Sequence, residues 1–252
     1  MKKYQDCLIT ENRLIAEGIY DMRVLPPTPL DVAAGQFAMI YTGDPSRLLP
    51  RPISFCGADG RAWRFVYRVV GGGTEKISRF APGQSVKILA PLGNGFPIPE
   101  KGNAALVGGG LGVPPLLMLA KNLERRGISV SAFLGFRDTP ILLNDFNEAG
   151  AKVNVATDGG SFGFRGSAAD LFARFADRFG CVFTCGPEPM MEAVAEVAAA
   201  HELDCFVSLE KHMACGVGAC FGCSVGTADG YKKCCSYGPV FDAKEVIWNV
   251  KP

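Results

Sequence analysis

Histidine is almost missing from this chain: His201 and His212 are the only two in 252 residues. His201 closes an alanine-rich helical stretch, where an imidazole complements the helix dipole. Acid–base chemistry built on histidine is therefore not expected. An excess of one charge is missing too. The 26 basic and 25 acidic side chains leave a net charge of +1, which is no electrostatic footprint for nucleic acid or an anionic membrane surface. Apolar runs such as LLMLA are far shorter than the about 20 residues that a membrane-spanning helix needs. The first residues, MKKYQDCLITENRL, carry two lysines but no apolar core. They do not read as an export signal, so the reducing cytoplasm is the expected compartment. No internal repeat or low-complexity tract interrupts the chain.

Cysteine, by contrast, is plentiful. There are ten, and in a reducing compartment such thiols read as ligands and buried side chains rather than disulfides. Half of them fall between 210 and 240. Cys215, Cys220 and Cys223 form a C-x4-C-x2-C run, and the adjacent pair Cys234 and Cys235 follows. That spacing with a later fourth cysteine is the plant-type [2Fe–2S] pattern. Gly216, Gly218 and Gly222 fit it, because a loop around a cluster turns tightly and brings backbone N–H groups to the sulfurs. Zinc sites more often place C-x2-C pairs at both ends, and only Cys220–Cys223 matches that. Spacing leaves Cys234 and Cys235 both open as the fourth ligand. His212 is read as a neighbour of the site, since four thiols already suffice.

At roughly 100–200 residues per domain, two domains plus a small cluster-bearing piece are expected. Residues 1–98 alternate short runs rich in Val, Ile, Phe and Tyr with turns at Pro26-Pro27, Gly43-Asp44-Pro45, Ala58-Asp59-Gly60 and Pro82-Gly83. Regular short strands of this kind predict an all-β barrel or sandwich. Two stretches there look chemical. In Arg51-Pro52-Ile53-Ser54 an arginine that can fork onto phosphate is held by proline close to a hydroxyl. In Tyr67–Thr74 a strand runs into Gly71-Gly72-Gly73 before a short helical stretch, an arrangement that exposes N–H groups to an anion.

Residues 99–205 alternate apolar strands with helices, which predicts βαβ units and a parallel sheet. A strand at 103–107 enters Gly108–Pro115, a glycine-rich loop that opens a helix. It departs from G-x-G-x-x-G, since Pro115 stands where the third glycine belongs. Proline is tolerated at a helix start, where its missing N–H has no intrahelical partner. Another strand ends at Cys185-Gly186-Pro187. Ligands bind such sheets at the carboxyl ends of the strands, so these two loops are the expected nucleotide crevice.

Taken in order, RPIS, YRVVGGGT, LGNGF, VGGGLGVPP, TDGGSFGFRG, CGPEPMMEAV and CGVGACFGC…CSYGPVF resemble the electron-transfer subunits of two-subunit, NAD-dependent dihydroorotate dehydrogenases, within the ferredoxin–NADP reductase superfamily. The resemblance covers nearly the whole chain. It implies an α+β multidomain protein with an N-terminal antiparallel Greek-key β-barrel for FAD (1–98), a parallel α/β NAD-binding domain (99–205) and a small C-terminal [2Fe–2S] domain (206–252). It implies that Arg51 grips FAD phosphate with Pro52 and Ile53 beside it, and that Ser54 lies near flavin N5. Val66, Tyr67 and Arg68 would line the flavin, and Gly73 and Thr74 would hold its pyrophosphate. Gly110, Gly112, Cys185, Gly186 and Pro187 would frame the nicotinamide. Cys215, Cys220, Cys223 and Cys235 would hold the cluster, Cys235 because it precedes GPVF at the family's offset. Ile53 stands where the wider superfamily has an aromatic.

The three groups belong together. Nicotinamide moves a hydride, an iron–sulfur cluster moves one electron, and a flavin does both. No general base within the chain is required. Three modules consume its length, so a partner that oxidises the carbon substrate is expected. The resemblance makes that partner an FMN-containing dihydroorotate dehydrogenase subunit, in a heterotetramer with two of each chain. Two other readings use the same residues. One is an NAD(P)H–ferredoxin or sulfide-linked reductase subunit of the same superfamily. The other is an iron–sulfur redox sensor, which predicts no flavin.

Overall fold

The computed structural model describes residues 2–248. Its first part contains β1 (Lys3–Ala16), β2 (Ile19–Leu25), β3 (Phe37–Ile40), β4 (Arg51–Asp59), β5 (Ala62–Arg68), α1 (Gly72–Ser78) and β6 (Ser85–Leu92). The strands close an antiparallel barrel in the order β1-β2-β5-β4-β3-β6. Alternation does the sorting: in β3, Ala38 and Ile40 join the barrel interior, whereas Phe37 and Met39 face a second apolar cluster outside it. Trp63, Phe55 and Phe65 fill the interior, with Phe55 edge-on to Trp63 at 5.5 Å between ring centres.

The next part runs β7 (Asn103–Gly109), α2 (Val113–Glu124), β8 (Ser129–Phe136), α3 (Leu143–Glu148), β9 (Lys152–Thr157), β10 (Phe164–Arg165), α4 (Ala168–Ala173), β11 (Cys181–Cys185), α5 (Glu188–Ala200) and β12 (Asp204–Ser208). The chain ends in a hairpin of β13 (Ser224–Thr227) and β14 (Gly230–Lys233), the single turn α6 (Cys234–Tyr237), and β15 (Val240–Asp242). One sheet of order β10-β9-β8-β7-β11-β12-β15 holds the core of this half. All its pairings are parallel except that of β15 with β12. The strand order reverses at β7 and β11, the place where such sheets open a ligand crevice.

The boundary expected at 205/206 falls inside β12. After the cysteine-rich stretch the chain returns as β15, with Phe206–Ser208 opposite Asp242–Val240. The cluster segment therefore leaves from the sheet edge and is pinned back onto it. The five residues DCFVS follow helix α5 after only residues 201–203, which carry no turn signal strong enough to mark a new strand.

Helix α2 is apolar on nearly every side: Val113 to Ala120 are all buried, and so is Leu123. A helix hydrophobic all round must be enclosed. It lies between the sheet strands β7, β8 and β11 and barrel strand β4. A polar clasp accompanies this contact. Arg64, on β5, forks onto Asp21 at 3.0 and 2.9 Å and reaches Asp145 of α3 with its other nitrogen. Asp21 is fully buried.

Arg64→Ala leaves Asp21 buried with only the more distant Arg13 at 3.6 Å. Removing one partner of a buried pair costs about 3 kcal/mol or more, so the urea midpoint should drop accordingly. A change within about 0.5 kcal/mol, the range of ordinary surface substitutions, would show that the clasp contributes nothing.

Candidate functional site

The barrel opens along one seam. Between β4 and β5 the register runs from Phe55 opposite Phe65 to Asp59 opposite Ala62. Beyond it Arg51–Ser54 follows β3, and Val66–Arg68 follows β2. The two strands diverge, and the half-buried side chains of Arg51, Pro52, Ile53 and Ser54 border the gap.

Helix α1 closes the far end. A Cβ on Gly73 would fall 2.0 Å from Nε of Arg51, and one on Gly72 would fall 2.1 Å from Nη1 of Arg47. Two guanidinium groups thus lie directly on the glycines of the first helical turn, where unpaired N–H groups and two positive charges meet. That combination suits a diphosphate. Sequence alone does not single out Arg47. A second arginine four residues before Arg51, in the same proline-bounded stretch, was the signal available. Thr74 is engaged elsewhere: its hydroxyl donates to Gly71 O at 3.0 Å and accepts from Val70 N at 2.9 Å. It shapes the glycine turn from within. Tyr67 is likewise turned away from the seam. Its ring stacks on Tyr20, its hydroxyl donates to Asn12 Oδ1 at 3.0 Å, and burial raises its pKa. Val66 is buried, and Arg68 is exposed at the end of β5.

At the sheet's carboxyl edge two loops converge. Gly110 has φ +53°, a left-handed turn in which glycine avoids the Cβ penalty. A Cβ on Gly112 would fall 2.1 Å from the carbonyl oxygen of Cys185, and one on Gly186 would fall 3.0 Å from Gly109 N. The β7 and β11 loops touch main chain to main chain, which makes a shallow floor for a flat ring. Pro187 caps α5 and leads into it. Burial pushes the Cys185 thiol up to about 12, only partly offset by a hydrogen bond with Ser208. It stays neutral at this edge.

The cysteines divide clearly. Cys234 is fully buried in the apolar cluster and donates to Leu209 O at 3.4 Å. Cys235 is buried in the same cluster but its sulfur meets the loop: it accepts from Gly218 N at 3.1 Å and lies within hydrogen-bonding reach of Cys223. Cys215 accepts from Val217 N at 3.4 Å and pairs with Cys220. Burial opposes ionisation of Cys215. The N–H groups of Val217, Cys220 and Ala219, with the Cys220 thiol, outweigh it and bring the pKa down to about 6. Burial and the neighbouring Cys223 push Cys235 up to about 12. All ten cysteines are free thiols. Among the described residues no three ligating side chains have drawn together to metal-binding distance. The chemistry of the donors suits an iron–sulfur cluster: Cys215, Cys220, Cys223 and Cys235 offer four thiols, and the N–H groups of Val217 and Gly218 point at two of the sulfurs.

The loop is anchored on the barrel. Gly216, φ +68°, lies so close to Met39 that a Cβ would sit 2.6 Å from Cγ and 3.1 Å from Sδ. Asn94 clasps the segment after Cys235: its amide donates to Tyr237 O and Val240 O at 3.0 and 2.8 Å and accepts from Val240 N at 3.0 Å. His212 and His201 are exposed, with His201 capping α5.

Residues 210–247 match the family profile of the iron–sulfur cluster binding domain of dihydroorotate dehydrogenase B. Over nearly its whole length, the chain is 40% identical over 241 residues to the dihydroorotate dehydrogenase B (NAD(+)) electron transfer subunit of Clostridium perfringens, covering 94% of this chain and 96% of that protein. This chain belongs to that family. The electron transfer subunit of Geobacillus kaustophilus is also 40% identical, over 95% of this chain and 96% of its own. Among solved structures, a chain from the NADH-dependent reduced ferredoxin-NADP oxidoreductase superposes with a TM-score of 0.88 at 29% identity, covering 96% of this chain and 90% of that one. An Amycolatopsis cytochrome P450 reductase shares the fold alone, at a TM-score of 0.71 and 22% identity over 80% of this chain and 67% of that one. In this electron transfer subunit α2 packs between barrel strand β4, which carries the seam, and the sheet strands β7 and β11, which carry the two glycine loops.

Cys235→Ser should lower iron and acid-labile sulfide in the anaerobically purified protein, while Cys234→Ser keeps both. Loss in Cys234→Ser alone would reverse the assignment. Gly112→Ala should part the two nucleotide loops. Overpacking costs about 1–3 kcal/mol, read as a lowered urea midpoint together with weaker NADH binding. Unchanged binding would show that the contact does not shape the nucleotide floor.

Proposed function

We propose that this chain passes electrons from a dihydroorotate-oxidising flavoprotein partner to NAD+ in pyrimidine biosynthesis, through a [2Fe–2S] cluster and FAD. The observation that carries the reading is the cysteine set, with Cys235 rather than Cys234 turned to the loop, on a chain aligned nearly end to end with relatives named as electron transfer subunits. The fit of the barrel seam and the sheet edge to a flavin and a nicotinamide supports it.

When bound, the cluster exchanges single electrons, the flavin takes one or two, and the nicotinamide takes a hydride. The residues of the chain do the holding. Cys215, Cys220, Cys223 and Cys235 ligate the cluster, and the N–H groups of Val217 and Gly218 stabilise charge on sulfur. Arg51 and Arg47, lying against Gly73 and Gly72, would neutralise the FAD diphosphate. Thr74 keeps that turn in shape. Pro52 and Ile53 would support the ring, with the Ser54 hydroxyl available to its polar edge. Val66, Tyr67 and Arg68 present the facing strand. Gly110, Gly112, Gly186 and Pro187 let NAD lie against main chain, and the neutral Cys185 thiol adds no charge beside the ring.

Nothing in this arrangement removes a proton from carbon, so substrate oxidation belongs to the partner. That partner is an FMN-containing catalytic subunit, and the assembly is a heterotetramer of two of each in the cytoplasm. No helix among the described residues is long and apolar enough to cross a membrane. Val217 and Phe221 are exposed on the cluster loop, where an apolar partner surface would shield the cluster.

Anaerobic, iron-replete preparation should yield protein with flavin absorbance and a broad thiolate-to-iron band, reducible by NADH. Alone it should not oxidise dihydroorotate; with the partner it should couple that oxidation to NAD+ reduction. Colourless protein, or dihydroorotate oxidation by the isolated chain, would refute the reading.

A further inference from the structure

The cluster loop and the flavin strand are separated by one strand of the barrel, β3. Met39 lies at its centre. Its side chain is fully buried, faces out of the barrel, and fills the space beneath Gly216. On the β4 side Met39 is the cross-strand partner of Pro52, inside the proposed flavin stretch Arg51–Ser54. Leu92 of β6 closes the same seat, 3.2 Å from the position of a Gly216 Cβ. Cys215 is the residue next to Gly216. The main chain that carries a cluster ligand therefore rests on the residue paired with the flavin strand. Only a glycine permits that approach.

We infer that Met39 is a positioning residue for internal electron transfer: it seats Gly216 and so sets how closely the cluster approaches the flavin. The inference rests on the function proposed above. The step it serves balances as follows, in the direction easiest to follow. NADH gives a hydride to FAD, leaving NAD+ and FADH−. FADH− then passes two electrons, one at a time, to the cluster and releases one proton to solvent. Cytochrome c, a one-electron acceptor, reoxidises the cluster after each transfer.

A flexible thioether adapts to an irregular gap, and leucine has nearly its volume, whereas alanine leaves the seat empty. In the flavin- and cluster-loaded protein, Met39→Ala should leave the rate of flavin bleaching by NADH unchanged. It should slow the following cluster reduction severalfold, and amide hydrogen exchange at Gly216–Gly218 should quicken. Met39→Leu should restore both. Leu92→Ala opens the same seat from β6 and should show the same pair of changes, so the test survives if Met39→Ala does not fold. Wild-type cluster reduction and wild-type exchange in the folded alanine variants would overturn the inference, as would a Met39→Leu protein as slow as Met39→Ala. Wild-type protein with no flavin-to-cluster transfer would instead refute the underlying function.

Discussion

The barrel and the sheet are placed against each other by the enclosure of α2. Its residues from Val113 to Leu123 have almost no polar face, so the helix is stable only with apolar surface on both sides. The sheet provides one side and barrel strand β4 the other. Because α2 begins at the Gly110–Gly112 turn and β4 begins with Arg51–Ser54, burying this one helix brings that glycine turn and the Arg51–Ser54 stretch into fixed relation. The Arg64–Asp21–Asp145 clasp adds a directional contact to a hydrophobic one, which by itself would specify distance better than angle.

The cysteine segment obeys the same logic with less apolar surface to use. It is small, rich in glycine and partly exposed, and cannot bury enough to fold as a unit. It borrows order from its neighbours. β15 pairs with β12, Asn94 holds the main chain after Cys235, Gly216 lies on Met39, and Cys234 anchors α6 in the shared core. The two adjacent cysteines therefore have opposite tasks. On a short helical turn, neighbouring side chains point in directions about 100° apart. Both are buried, but the Cys234 thiol reaches Leu209 O while the Cys235 sulfur meets Gly218 N of the loop.

Cofactor-directed residues and structural ones are interleaved throughout. Thr74 and Tyr67 lie inside chemically suggestive motifs, yet their polar atoms bind within the protein. Arg47 and Met39 lie outside those motifs, yet they sit against the glycines that matter. A motif records which main-chain path is needed. It does not record which side chain uses its hydrogen-bonding capacity locally, since that depends on neighbours tens of residues away.

The amino-acid order alone established a β-rich first third, a βαβ middle, the glycine turns and the C-x4-C-x2-C loop. These follow from local rules of periodicity, turn chemistry and ligand spacing. It left β12 and β15 unread, because a five-residue and a three-residue strand carry too little periodic signal. It also left Cys234 and Cys235 equivalent by spacing. Tertiary structure alone decided that the chain returns to the sheet edge as β15 after the cysteine segment, that the Cys235 sulfur meets the loop, and that Met39 lies between the cluster loop and Pro52. Each of these is a contact across a large sequence separation, set by which apolar surfaces can be buried together.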